Sequence, residues 1–448
     1  MITRALMMRL FDGFTIERWN DKIRPFPFIE IDKQTHKMMY AYFFGTLLEE
    51  YFNKEVEWDI LINCCIYEYI QRLVLTDLKS PFFHYIKNNK EIYKRLNTWI
   101  TDNFKPYLKG SHKAQQFIDN MNIYLNYNEN ENEHTKYRAL LQLSSTLSTI
   151  WEFNIIYKHN RNGFKIKKIR DLLKYDEIKH FYEASNSWDL QYEASNSCDL
   201  QNKGGLYVIY NKYNINKLLH LIVELRHQTR WAHLPMYPKT SVLGHMGYVA
   251  LLTYFITREI SIHNNIELDS DVYKERLYNN FYTALFHDLK EVATRDIISP
   301  VKNSLNNICN KLKEPDITKK YEDEEFDKIR QLFETNNNNN ADTIRLNNLI
   351  KLIEDDEFAD LVDLKPVDNI NYNDTPSNPR DGKLIKAMDL LSACIEAKSS
   401  LIYGINNPIL ANNYNNILDI YDGNTEIKGH KPSELYNYNI YALFKQLI

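Results

Sequence analysis

The sequence predicts an all-α protein built as two helical bundles in tandem. Three observations predict it. Apolar residues recur at helical spacing in long runs, as in HKMMYAYFFGTLLEEYF near the start and LLHLIVELRHQTRW in the middle. Only 12 glycines occur in 448 residues, and none forms a GxGxxG or GxxxxGK[ST] loop, so a Rossmann or P-loop nucleotide site has no basis. Finally, CIYEYIQRLVLTDLKSP (Cys65 to Pro81) aligns without a gap under ALFHDLKEVATRDIISP (Ala284 to Pro300), which points to an old internal duplication.

The elements divide at 1–160, 161–205 and 206–448. The first block carries Arg18-Trp19, the helix THKMMYAYFFGTLLEE, the Cys65 to Pro81 stretch and the helix RALLQLSSTLSTIWEF. The second reads as a linker or insert. It contains YEASNSWDLQ (Tyr182 to Gln191) followed at once by YEASNSCDLQ (Tyr192 to Gln201), a recent duplication where extra length is thermodynamically mild. GLYVIY, Gly205 to Tyr210, is the clearest β-like run. The third block holds Arg230-Trp231, HMGYVALLTYFITREI, ALFHDLKEVATRDIISPVK and KLIKAMDLLSACIEA. Asn126 to His134, Asn336 to Asn340 and Asp368 to Gly382 are polar and turn-rich, and read as loops.

The chemistry concentrates in this third block. A helix from Tyr282 to Ala293 would set His287, Asp288 and Glu291 along one face. His245 opens another apolar-periodic helix, and Asp389 is a single carboxylate interrupting the apolar face of a third, where it needs a cation or strong donor. Two imidazoles and two carboxylates suit Mn, Co, Fe, Zn or Mg rather than Cu(I) or an iron–sulfur cluster. Such an ion lowers the pKa of a bound water to about 7 and polarises a phosphoryl group, so hydrolysis is implied. Glu291 and Asp296 are then spare carboxylates for proton transfer.

With these motifs in this order, from about Glu224 to about Lys398, the C-terminal half resembles the HD-domain phosphohydrolases, and within them the YfbR-like 5′-deoxynucleotidases. The resemblance implies an HD-type helical fold and metal-dependent removal of the 5′ phosphate from deoxyribonucleoside monophosphates. It implies one divalent ion on His245, His287, Asp288 and Asp389, with Glu291 and Asp296 catalytic. Arg230 would lie near the phosphate and Trp231 near the sugar, with Thr294 and Lys302 as further phosphate neighbours. One departure is Gly244, where the family usually has Glu before the first metal histidine; its loss bears on substrate preference.

The first half then reads as a degenerate HD-like domain. Asp77 falls under Asp296, Arg18-Trp19 parallels Arg230-Trp231, and His36 parallels His245. Glu68 and Tyr69 stand at His287 and Asp288, and Arg72 replaces Glu291. The counterpart of Asp389 is Gln142, Ser144 or Ser145. This half would imitate the second subunit of a homodimeric ancestor, so the protein is either a monomer with pseudo-dimeric halves or a homodimer.

Composition narrows the rest. A net charge of −4 offers no field for duplex nucleic acid. Five cysteines without CxxC spacing read as reduced thiols of a cytoplasmic protein. Arg4, Arg9 and Asp12 interrupt any secretory signal, and no apolar run is long enough to span a membrane. The expected activity is metal-dependent phosphohydrolysis of a small nucleotide. The residues leave open a nucleotide triphosphohydrolase, a cyclic-nucleotide phosphodiesterase and a non-catalytic nucleotide-binding regulator or scaffold.

Overall fold

Six long helices carry the architecture of the computed structural model. It describes residues 2–76, 78–108, 112–126, 134–190, 204–212, 215–295, 297, 299–334, 357–363, 365–368, 370, 372, 376–421, 432 and 434–447. The first half contributes α1 (Glu30–Phe52), α2 (Trp58–Leu75) and α3 (Thr135–His159). The second contributes α4 (Val242–His263), α5 (Asp271–Phe286) and α6 (Gly382–Ile402). The fold is all-α and HD-type, as the sequence predicts. Strand structure among the described residues is confined to short antiparallel pairs such as Glu17–Arg18 with Phe28–Ile29.

Helices α1 and α4 lie at the centre. Helix α4 is apolar on nearly every side, and a helix without a polar face must be surrounded. Helix α1 buries its polar first turns by pairing Glu30 with Arg18, Lys33 with Ser145 and Lys37 with Glu68. Every residue of α4 from Val242 to Arg258 is buried, as is every residue of α1 from Glu30 to Leu48. Helix α4 packs on α1, α5 and α6, while α1 also packs on α2 and α3. One apolar core runs through both halves.

Two glycines let α1 and α4 approach closely. A Cβ on Gly244 would stand 2.7 Å from Asp32 Oδ1, and one on Gly247 would overlap the Thr35 hydroxyl. The Gly244 position noted above therefore has a physical reason: the first half's Asp32 already fills the space. The Asp32 carboxylate also accepts from Ser241 Oγ at 2.5 Å, and Ser241 caps α4 by accepting from Gly244 N at 2.9 Å.

Helix α6 is fixed at its start by a buried clamp. Asp381, just before Gly382, accepts from Asn280 Nδ2 at 2.7 Å and from the Tyr372 hydroxyl at 2.5 Å, with Arg276 Nε at 3.3 Å. Asn280 and Arg276 both belong to α5, so the two helices that flank the candidate site share one anchor.

Two sequence expectations need correction, on GLYVIY and on the helix from Tyr282 to Ala293. GLYVIY is not a strand: Gly205–Lys212 is a helix, and its buried Leu206, Ile209 and Tyr210 show a helical rather than alternating pattern. Within 161–205, without bearing on its reading as an insert, Ile166–Ser187 is a helix that packs along α3. The expected helix from Tyr282 to Ala293 is interrupted: α5 ends at Phe286, His287 to Lys290 form a turn, and a short helix follows at Glu291–Thr294. The second decapeptide copy, the asparagine run, Asp77 and Asp296 lie outside the described residues.

Candidate metal centre

Three helices bring the predicted ligands together. His245 sits in the first turns of α4, His287 caps the C-terminus of α5 with Asp288 beside it, and Asp389 lies in the second turn of α6. One ligand atom each from His245, His287 and Asp389 falls within 4.8 Å of the others. Asp288 Oδ2 joins them, 3.3 Å from His287 Nε2 and 3.7 Å from His245 Nε2.

The orientation of each imidazole supports a cation. His287 Nδ1 lies 2.7 Å from the Ala284 carbonyl, which can only accept, so the proton belongs on Nδ1 and the Nε2 lone pair faces the cluster. That buried Nε2 has no aligned hydrogen-bond partner among the described residues. His245 Nδ1 faces Glu396 Oε1 at 3.1 Å and Ser392 Oγ at 3.0 Å. A carboxylate there calls for an Nδ1 proton, which leaves the Nε2 lone pair 3.1 Å from Asp389 Oδ1. Two acceptors meeting at that distance need a shared proton or a positive ion. A divalent cation answers this arrangement, and a carboxylate behind the histidine is a usual support for a metal-binding imidazole.

Without an ion the site holds a proton instead. Burial opposes charging His287, but Asp288 above all, with Asp389 and the Ala284 carbonyl, lifts its imidazole to about 9. Burial likewise opposes ionising Asp288 and Asp389. His287 and His245 nevertheless hold Asp288 well down, and Lys386 and His245 do the same for Asp389. The sign follows from linkage. A histidine whose folded pKa exceeds its ordinary 6.5 stabilises fully below that value, and the contribution is lost as pH rises through about 9. Chelator-treated protein is therefore expected to lose melting temperature between about pH 6.5 and 9, the range this shift spans. The loss should shrink with saturating Mn, since binding an ion displaces the same proton. Thermal denaturation with and without metal checks both statements.

Glu396 was not among the expected site residues, yet it organises the centre. Besides His245, it accepts from Trp231 Nε1 at 2.6 Å, Arg230 Nε at 3.3 Å and Thr240 Oγ1 at 3.2 Å. It is fully buried; burial would raise its pKa, but Arg230 and His245 hold it down at about 2. The sequence signal was present: Asp389, Ser392 and Glu396 follow one another at successive helical turns, all on one face of α6. Lys386, a turn before Asp389, donates to Asp389 Oδ2 at 2.8 Å, the local pairing that the sequence also allows for this carboxylate.

The remaining predicted residues sit as follows. Arg230 reaches from Glu396 toward Asp288, its Nη1 3.6 Å from Asp288 Oδ2. Trp231 directs its indole N–H to Glu396, and its backbone is left-handed at φ 55. Glu291 is buried, with Lys302 Nζ 3.5 Å away. Thr294 donates to Glu322 at 3.0 Å.

No helix among the described residues is long and apolar enough to cross a membrane. No curated protein and no solved structure matches the chain significantly. Residues 222–417 match the family model described as HD domain, whose members are typically metal-dependent phosphohydrolases, and this match supports the HD-domain superfamily for the part of the chain that holds the centre.

Proposed function

We propose that the chain is a divalent-metal-dependent phosphohydrolase of small nucleotides, with 5′-(deoxy)nucleoside monophosphates as its substrate class. The observation that carries the reading is the convergence of two imidazole lone pairs on two carboxylates, with a guanidinium alongside. His245, His287, Asp288 and Asp389 would hold the ion. When bound, it polarises the phosphoryl group and makes a neighbouring water acidic.

The chain's own residues do the rest. Arg230, oriented by Glu396 on one side and Asp288 on the other, balances negative charge on the phosphate as it builds. Glu291 and Asp296 take up the proton of the attacking water and return one to the leaving alcohol. Lys302 pairs with the Glu291 carboxylate at 3.5 Å and, with Thr294, would neighbour the phosphate. Glu396 keeps the His245 proton on Nδ1, so that Nε2 remains a donor of its lone pair.

The same reading divides the chain into a degenerate HD-like domain at 1–160, a linker segment at 161–205 and a catalytic domain at 206–448. Supporting it, Arg18 and Trp19 donate to Glu152 from Nε at 3.0 Å and Nε1 at 2.7 Å, as Arg230 and Trp231 do to Glu396.

A phosphate-release screen over ribo- and deoxyribonucleotides with Mn, Co or Mg tests the function. Release of inorganic phosphate from a monophosphate is expected, absent in the His287→Ala/Asp288→Ala double variant. Triphosphate or a newly formed monophosphate as product would move the reading to another HD hydrolase. No product from any nucleotide with any of these metals would sink it.

A further inference from the structure

We propose that the first half carries a metal-free counterpart of the metal centre, in which the Lys33 side chain occupies the place of His245 and plugs the position an ion would take. The proposal rests on the metal reading of the second half. Its geometric basis is one constant interval in the sequence that relates residues 16–33 of the first half to 228–245 of the second. The pairing Glu17↔Ile29 recurs at that interval as the bridge Thr229↔Ser241. The bond from Glu30 N to Ile16 O, 2.9 Å, recurs as Val242 N to Gln228 O, 2.9 Å. Trp19 and Trp231 share a left-handed backbone, φ 54 and 55, a conformation rare for so bulky a residue.

The same interval carries His245 back to Lys33, one helical turn before the His36 expected from the sequence. His36 is fully buried, with its ring against Tyr40 and Trp151. In α3 the spacing of Asp389, Ser392 and Glu396 is reproduced by Ser145, Ser148 and Glu152. The contacts then match. His245 Nε2 meets Asp389 Oδ1 at 3.1 Å, and Lys33 Nζ meets Ser145 Oγ at 2.5 Å.

The differences fit a site that has given up its ion. Ser392 lies against the His245 imidazole, whereas buried Ser148 Oγ has no hydrogen-bond partner among the described residues, as expected where a lysine has replaced that ring. On Glu152, the oxygen corresponding to the one facing His245 accepts instead from Arg226 at 2.6 Å, a residue of the second half. Glu68, at the place of His287, is engaged by the Lys37 ammonium and by the Tyr124 hydroxyl at 2.6 Å. Tyr69, at the place of Asp288, donates to the Leu10 carbonyl at 2.5 Å. Carboxylates at the ligand positions have thus become serine and tyrosine, neither a good ligand for a hard divalent ion. Burial and the nearby Arg18 and Lys37 draw the Lys33 pKa down to about 7 against the pull of Glu30 and Glu152.

The test is the number of Mn ions bound per full-length chain, read by calorimetry and elemental analysis. One ion is expected in the unaltered protein and in Lys33→Met, and none in His287→Ala. The fourfold variant Lys33→His, Ser145→Asp, Glu68→His, Tyr69→Asp is expected to bind two. Two ions in the unaltered chain, one of them surviving His287→Ala, would overturn the proposal while leaving the second-half centre intact. A folded fourfold variant that still binds one ion would also overturn it. Should that variant not fold, the unaltered and single variants still decide. No ion in any of them would overturn the metal reading itself, and this proposal with it.

Discussion

Replacing His287 by alanine is expected to abolish metal-dependent phosphate release, by about three orders of magnitude or more. The residue supplies one of the two imidazole lone pairs, and no other group occupies its direction: Nε2 is buried and has no aligned partner among the described residues. A metal ion contributes several kcal/mol to a phosphoryl transition state, and each 1.36 kcal/mol is about tenfold in rate, which sets the size of the effect. The substitution also removes the proton carrier that offsets Asp288 and Asp389 in the metal-free chain, so their carboxyl pKa values should move back up. Metal titration, phosphate release and folding by circular dichroism separate these effects. Normal metal-dependent turnover in a folded His287→Ala protein would refute the site.

Glu396→Gln is expected to damage the centre without touching a ligand. Its carboxylate receives His245, Arg230, Trp231 and Thr240 in a fully buried place. Outer-shell partners of metal histidines typically matter by about 10–100-fold in metal affinity or activity, so a loss in that range is expected. Breaking a buried charge pair costs about 3–5 kcal/mol when the partner is left alone; Arg230 keeps Asp288 at 3.6 Å, so the stability loss here should fall below that range. The counterpart Glu152→Gln takes one carboxylate from Arg18 and Arg226, which keep Glu30 and Asp32, and should cost similar stability. Its effect on metal affinity should be much smaller, because no ligand histidine leans on it. Equal losses of metal affinity in the two variants would mean that Glu396 acts only through global stability.

The convergence of ligands was legible because His245, His287, Asp288 and Asp389 are chemically conspicuous in otherwise apolar helices. Glu396 was not, since a lone carboxylate on an amphipathic helix ordinarily reads as a solvated residue. Its burial depends on Trp231 and Arg230 arriving from far along the chain. His36 was paired with His245 by identity of residue type, whereas the register proposed above, taken from the Arg-Trp pairs, sets Lys33 there. The break after Phe286 could not be seen either, because helical spacing of His287, Asp288 and Glu291 is also compatible with a turn between two helices. GLYVIY misled because β-branched and aromatic residues favour strands in isolation, and packing decided otherwise.

The contact of Asp32 with Gly244 and of Thr35 with Gly247 has an evolutionary corollary. In an assembly of two identical polypeptides, a position on the rotation axis faces its own replica, so aspartate would confront aspartate and glycine would leave a void beside glycine. Joining both copies into one reading frame removes that restriction: large can meet small, and each side can change independently. The tight seam between α1 and α4 is of this unlike kind, which two identical chains could not form across a shared axis.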